Sequence, residues 1–409
     1  MIMNDTLKIV FVGHVDHGKS TLIGRLLYDT KSLSNEKYND IEEEAKKSGK
    51  DIEFAFVMDH LKEERDKKIT IDTAQTFFSS DKREYVIIDA PGHKEFIKNM
   101  VTGASQAEAA ILMIDANEGV MEQTKRHAYI LSLLGIDQVV VAINKMDLVE
   151  YNKERFEKIK KDIVEFLENM KIKPKFVVPV SAKKGDNIVK KSDNMKWYNG
   201  PNILGALDKM KPASTSSENP LRFPVQDVYE FDGEKIVVGR IESGKIRSGQ
   251  TAVILPENKT CKIIKIKKFE GEIKEATAGE SIGIILDKNT KRGDVISDRD
   301  DMPKKRRIIS AKLFWLSPEK VKTKEKIIFK STTQESICEI EKIKKRINSS
   351  SLKIIEENSE KLEEHEVGEV EIKLDKPVFI DEFNKIKEMG RFVLERNGTI
   401  SGGGIITGD

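Results

Sequence analysis

Gly13-His14-Val15-Asp16-His17-Gly18-Lys19-Ser20 sets two glycines, a lysine and a hydroxyl at the spacing of a phosphate-binding loop. The glycines permit a tight turn. Backbone N–H groups from Gly13, His14, Val15, Asp16, His17 and Gly18 through to Thr21 can then surround phosphate oxygens, Lys19 can reach the β/γ oxygens, and the Ser20 hydroxyl can ligate Mg²⁺. The loop follows an apolar run over residues 7–12 that reads as a strand. It precedes residues 21–27, which read as a helix whose positive N-terminal end faces the phosphates. The chemistry implied is binding of a nucleoside triphosphate.

Two further motifs follow in an order that narrows the ligand. Asp89-Ala90-Pro91-Gly92-His93 comes directly after the apolar residues 85–88, placing a carboxylate at the end of a strand where it can hold Mg²⁺ through water. Asn144-Lys145-Met146-Asp147 follows the buried-type run 139–143. A carboxylate there can accept from both the N1–H and the amino group of guanine. Adenine lacks that donor pair and would leave a buried charge unpaired, a discrimination of roughly 10⁴ or more. Ser181-Ala182-Lys183, after residues 176–180, can support the base through backbone N–H groups. Any one of these could be an ordinary strand-end turn, but in series they indicate GTP.

These motifs need a scaffold, and the chain is long enough for one of several domains. Its 409 residues allow two or three cores. Lys and Arg number 71 against 69 Asp and Glu, a net charge of +2, so no global field points to nucleic acid or an acidic membrane. Cys261 and Cys338 are far apart without metal-ligand spacing, which fits two reduced thiols in a cytoplasmic protein. The first eight residues lack an export-type pattern and no apolar stretch is long enough to span a bilayer, so neither export nor insertion is expected.

Strands alternate with amphipathic helices up to about residue 215. In residues 151–172, Phe156, Ile159, Ile163, Phe166, Leu167 and Met170 recur at spacings of three and four, a face that should pack on a sheet. The small, polar, proline-containing residues 212–217 read as a linker. Short β-branched runs follow, at 236–238, 251–255, 262–266, 281–286, 308–315, 326–329, 367–374 and 391–394, which argue for two β-barrels. The expected architecture is an α/β P-loop GTPase domain over 1–215 followed by barrel domains over 216–302 and 303–409. Trp197 and Trp315 read as packing anchors, and His60, His127 and His365 lack metal-like spacing.

With these motifs in this order, essentially the whole chain resembles the translation-factor GTPases, especially elongation factor 1-alpha and the GTPase subunit of bacterial sulfate adenylyltransferase. Glu64-Arg65-Asp66-Lys67-Lys68-Ile69-Thr70-Ile71-Asp72 looks like the family's first switch, usually ERxxGITID, with Lys68 where glycine is usual. The resemblance implies that Thr70 closes on Mg²⁺ and the γ-phosphate beside Ser20 and Asp89. It also implies that His93 orients the attacking water, and that Val15 and Ile69 form an apolar gate. Residues 24–30, 390–394 and 400–406 look like the sulfate-activating subunit, whereas His14 and His17 carry the elongation-factor spelling.

On balance that wording implies a subunit coupling GTP hydrolysis to formation of adenylyl sulfate and pyrophosphate from ATP and sulfate. Its partner would be a small ATP-pyrophosphatase-type subunit in a heterodimer or larger assembly, with neither membrane nor nucleic acid. In some relatives an adenylylsulfate kinase follows the third domain, and that activity is not expected here. The glycine-rich residues 401–404 read as a closing turn. The alternative is an elongation factor 1-alpha-like GTPase delivering aminoacyl-tRNA. Its RNA surface would be the basic residues 304–307 with Lys312, Lys320, Lys322, Lys324 and Lys326, a stretch that otherwise reads as a solvated linker and strand face.

Overall fold

The structure is a computed structural model and describes residues 6–35, 38–39, 43, 54, 75–88, 107–211, 218–231, 233–268 and 271–408. The linker expected at 212–217 lies outside them. The chain divides into two compact units, the first holding the N-terminal residues to Pro212 except 97–103, the second the remainder.

The first unit is built on a six-stranded sheet in the order β2-β3-β1-β4-β5-β6. Its strands are β1 (Thr6–Val12), β2 (Gln75–Ser79), β3 (Glu84–Ile88), β4 (Ala109–Asp115), β5 (Val139–Asn144) and β6 (Phe176–Pro179). Only β2 runs antiparallel to its neighbour; the other pairings are parallel. Every residue of β4 and β5 is buried, as expected of central parallel strands covered on both faces. Among the described residues the unit also carries helices α1 (Lys19–Asp29), α2 (Glu122–Leu133), α3 (Lys153–Asn169) and α4 (Ile203–Leu207). In α3 the residues buried are Phe156, Ile159, Ile163, Phe166 and Leu167, the face set by the sequence periodicity. Asn152 caps that helix by accepting from Arg155 N, and Met170 ends it as the C-cap.

The second unit contains two barrels. In the first, β7 (Arg222–Phe231), β8 (Glu234–Arg240), β10 (Thr251–Leu255), β11 (Lys259–Lys268), β12 (Gly271–Ile273), β14 (Ser281–Leu286) and β15 (Val295–Ser297) form one sheet closed by the β10–β11 pairing, with β9 (Lys245–Arg247) and β13 (Glu275–Thr277) paired beside it. In the second, β16 (Lys304–Trp315), β18 (Lys326–Ser331), β19 (Gln334–Asn348), β20 (Ile354–Ser359), β22 (Glu366–Ile380), β23 (Arg391–Arg396) and β24 (Thr399–Ile406) close through β18–β19, with β17 (Val321–Lys322) paired to β21 (Lys361–Leu362).

The glycine-rich residues 401–404 are not a closing turn, because they lie inside β24, paired with β16 on one side and β23 on the other. A side chain at Gly402 would stand 2.9 Å from the Trp315 ring, and one at Gly404 2.2 Å from the Lys312 carbonyl oxygen. Both tryptophans are packing anchors: Trp315 is fully buried and donates to Glu319 O (2.7 Å), while Trp197 donates to Tyr151 O (3.1 Å) beside Phe156.

The two barrels share a small apolar cluster, Val253, Leu255 and Val295 from the first with Phe379, Ile386 and Met389 from the second. Arg222 at the start of β7 is fully buried, binding both Asp381 oxygens (2.7 and 3.0 Å), Asp301 Oδ1 (2.7 Å) and the carbonyls of Leu221 and Asp301. Cys261 and Cys338 are buried and free, and burial pushes their thiols up to about 11 and about 12. Among the described residues no helix is long and apolar enough to cross a membrane.

Candidate nucleotide site

The loops that carry the motifs leave the same ends of adjacent parallel strands. β1 lies between β3 and β4, where the strand order changes direction, and β4, β5 and β6 continue outward. In open α/β sheets a crevice forms at such a point. The phosphate loop turns through a single 3₁₀ turn, Val15–His17, and enters α1 at Lys19. Gly18 holds φ +87°, and a side chain there would stand 2.5 Å from Asn144 Nδ2. Gly13 holds φ +152°, with Met113 Cβ and its carbonyl oxygen 2.8 Å from where a Cβ would be. Positive φ and close approach together require glycine at both positions. Lys19 Nζ donates to the carbonyls of Gly13 and His14 (both 2.8 Å), which fixes an ammonium over the loop. Ser20 and Thr21, half-buried, open α1.

The base-recognition loops are tied to this one through Asn144. Its buried side chain donates to His17 O (2.8 Å) and accepts from Ala182 N (2.9 Å), so three loops meet on one amide. Asn144 is thus a tie between loops, and Asp147 lies half-buried in the turn Met146–Val149. Lys145 takes φ +60° and pairs with Asp115 (2.7 Å). Ser181 is fully buried, its Oγ accepting from Lys184 N (3.2 Å) and its carbonyl from Gly185 N (2.8 Å); Ala182 is buried and Lys183 exposed.

Of the residues singled out from the sequence, Gly13 to Thr21, Asn144, Lys145, Asp147 and Ser181 to Lys183 are therefore brought together. Thr70, Asp89, Gly92 and His93, with Lys68, Ile69 and the side chain of Val15, lie outside the described residues.

Three residues not singled out also build the site. Asp115 closes β4, is buried, holds Lys145, and accepts from Asn117 N (2.7 Å). Arg155 on α3 donates to the carbonyls of Ala116 and Asn117 (both 2.7 Å). Glu118 reaches His17 Nε2 at 3.1 Å. The sequence signal for Asp115 is a carboxylate ending an otherwise apolar run, whereas Arg155 and Glu118 carry no local signal.

The basic stretch proposed for RNA is folded differently from a linker. Residues 304–307 begin β16, and Lys312 stands opposite Glu369 in the strand register. Lys304 pairs with Glu382 (3.0 Å) and Lys324 with Glu341.

Comparison with known proteins covers the whole chain. The model for the elongation factor Tu GTP binding domain matches residues 4–213, that for elongation factor Tu domain 2 matches 234–297, and that for the GTP-eEF1A C-terminal domain matches 308–407. Elongation factor 1-alpha of Pyrococcus furiosus is 40% identical over 421 residues, covering 98% of this chain and 97% of that protein. Its counterpart from Methanocaldococcus jannaschii is 39% identical over 411 residues, covering 97% and 96%. A solved structure of sup35 complexed with GDP aligns over 99% of this chain and 94% of that chain at 24% identity, with a TM-score of 0.46, too low to bear on the fold.

These matches overturn the sulfate-activation reading, and with it adenylyl sulfate synthesis, the small ATP-pyrophosphatase-type partner and the expectation that nucleic acid is not a partner. The residues that suggested it have packing reasons. Gly24 is buried in α1, and the glycines of 400–406 sit where β24 crosses Trp315, Leu313 and Phe392. Such wording reports local packing, not which reaction the chain serves.

Proposed function

Since the chain belongs to the translation-factor GTPases of the elongation factor Tu and 1-alpha type, we propose that it is an elongation factor 1-alpha-like protein, carrying aminoacyl-tRNA to the ribosome in its GTP form. One observation carries this reading: about 40% identity to elongation factors 1-alpha along nearly the full length of both chains, barrels included. A nucleotide site alone would support only GTP binding. The proposed domains are 1–215, 216–302 and 303–409, and the proposed compartment is the cytoplasm.

In this reading Asp147 accepts from guanine N1–H and the amino group and Lys19 neutralises β/γ oxygens; of Ser181 to Lys183, Ser181 N donates to Asp186 O (3.3 Å) and Ala182 N to Asn144 Oδ1 (2.9 Å), so the N–H proposed to support the base is that of Lys183. The Cβ-free cradle at Gly13 and Gly18, and a hydroxyl at Ser20 in the first turn of α1, fit a triphosphate with its metal. Ser20, Thr70 and Asp89 are the proposed holders of Mg²⁺, which when bound spreads the charge of the terminal phosphates. His93 orients the attacking water, and Val15 with Ile69 gates it. Positioning and charge stabilisation then supply the rate.

The test is GTP turnover by the purified chain with and without ribosomes carrying a matching codon and aminoacyl-tRNA. Stimulation by ribosomes is the expected result. Stimulation instead by ATP, sulfate and a small partner subunit would reject the proposal.

A further inference from the structure

Tyr151 follows the turn that carries Asp147 in an unusual backbone conformation. It and Glu150 both take φ +54°, two consecutive residues other than glycine in the left-handed region. Such a conformation persists only where surrounding contacts fix it, and it gathers where geometry serves function. The contacts that fix it here run in different directions: Tyr151 N donates to Met146 O (2.8 Å), Tyr151 O accepts from Trp197 Nε1 (3.1 Å), and Tyr151 Oη donates to Asp186 Oδ2 (2.8 Å). The last of these crosses to the loop that carries Lys183. We propose that Tyr151 and Asp186 are positioning residues whose hydrogen bond sets the spacing between the Asp147 carboxylate and the Lys183 N–H, and with it the tightness and selectivity of guanine binding. The inference rests on the proposed guanine site.

Asp186 is anchored on its own side. Its N–H donates to Ser181 O (3.1 Å) and its carbonyl accepts from Ser181 N (3.3 Å), so the carboxylate belongs to the loop of Ser181 to Lys183. Oδ1 accepts from Ser192 Oγ (2.5 Å) and Asn194 Nδ2 (3.2 Å), while Oδ2 takes the tyrosine. On this loop Gly185 takes φ +83° and passes so close to α1 that a side chain there would stand 2.5 Å from Arg25 Nη2. The loop is thus backed by the helix that follows the phosphate loop. Burial, with the Asp186 and Asp147 carboxylates beside it, pushes the Tyr151 hydroxyl up to about 12, so it remains a donor near neutral pH. Guanine presents O6, N1–H and the amino group along one edge. With Asp147 on the two donors and the Lys183 N–H on O6, the two loops must stand one base edge apart, and a hydrogen bond from a rigid phenol to a carboxylate fixes that distance. Both side chains are half-buried, so its loss should shorten nucleotide residence by about tenfold.

Two measurements on the full chain test this: release of a fluorescent GDP analogue by stopped flow, and displacement of that analogue by GDP or inosine diphosphate at equilibrium. Inosine diphosphate keeps N1–H and O6 but lacks the amino group, so the preference for GDP measures how well Asp147 meets both donors. Tyr151→Phe should release the analogue about tenfold faster and lower that preference. Asp186→Ala should release it at least as fast, and the double variant no faster than Asp186→Ala alone, because both changes remove the same hydrogen bond. A purely structural role would leave the preference for GDP unmoved, so a Tyr151→Phe protein with the wild-type preference would overturn the proposal. A double variant whose release rate multiplies the two single effects would overturn it as well. Tyr151→Phe keeps the ring and its packing, so the preference is measurable even if Asp186→Ala does not fold. Absence of any binding of the analogue by wild type would instead reject the GTP site itself.

Discussion

In the proposed reading Asp147 chooses the base, because Asn144 is engaged elsewhere. With both ends of the Asn144 amide spent on His17 and Ala182, the acceptor proposed for guanine is the Asp147 carboxylate. Asp147→Asn should therefore weaken GTP and favour xanthosine triphosphate, whose O2 reverses the donor pattern; competition binding that shows unchanged preference would remove the assignment. Gly18→Ala carries two penalties, φ +87° and a contact of 2.5 Å with Asn144 Nδ2, so it should cost at least tenfold in GDP affinity by equilibrium titration. These residues were legible in the sequence because a phosphate loop is written in glycines, a lysine and a hydroxyl at fixed spacing. Glu118 and Arg155 were not, because their roles arise when α3 and the loop between β4 and α2 meet in space, and Asp115 showed only as a carboxylate ending an apolar run.

At the scale of elements, periodicity served where packing is regular and failed where it is not. The buried face of α3 and the apolar β4 and β5 follow directly from residue spacing. Strand β19 escaped because its pairing with β22 shifts at Ile340/Lys342 and again at Ile343/Lys345, and each bulge inverts the alternation that marks a strand. Strand β24 was misread at its glycines, which are required by close crossing and not by a turn. Gly404→Ala would drive a methyl onto the Lys312 carbonyl and the Phe392 ring, an overpacking expected to cost about 3 kcal/mol in chemical denaturation. A loss below about 0.5 kcal/mol would mean that β24 can shift away from β16.

At the scale of the whole molecule, the second unit is held by the buried Arg222 guanidinium as well as by apolar contact. Arg222 satisfies two aspartates and two carbonyls, and Asp381 is itself buried. Arg222→Met would leave the buried Asp381 carboxylate with Lys385, 3.8 Å away, in place of two direct guanidinium hydrogen bonds, a loss of about 3 kcal/mol. Guanidinium unfolding followed by Trp315 emission in a Trp197→Phe background would detect it, and an unchanged midpoint would show that the apolar cluster suffices. The three-part architecture was legible from the change of pattern near residue 215. The biological role was not, since family members with different roles share the same nucleotide words, and barrel wording reflects packing. The central claim is that this chain carries aminoacyl-tRNA in a GTP-dependent manner. The most direct measurement is the rate at which the ester of aminoacyl-tRNA hydrolyses in the presence of the protein loaded with GTP or with GDP. The account predicts slowed hydrolysis with GTP and little protection with GDP; equal rates in both states and in buffer would contradict it.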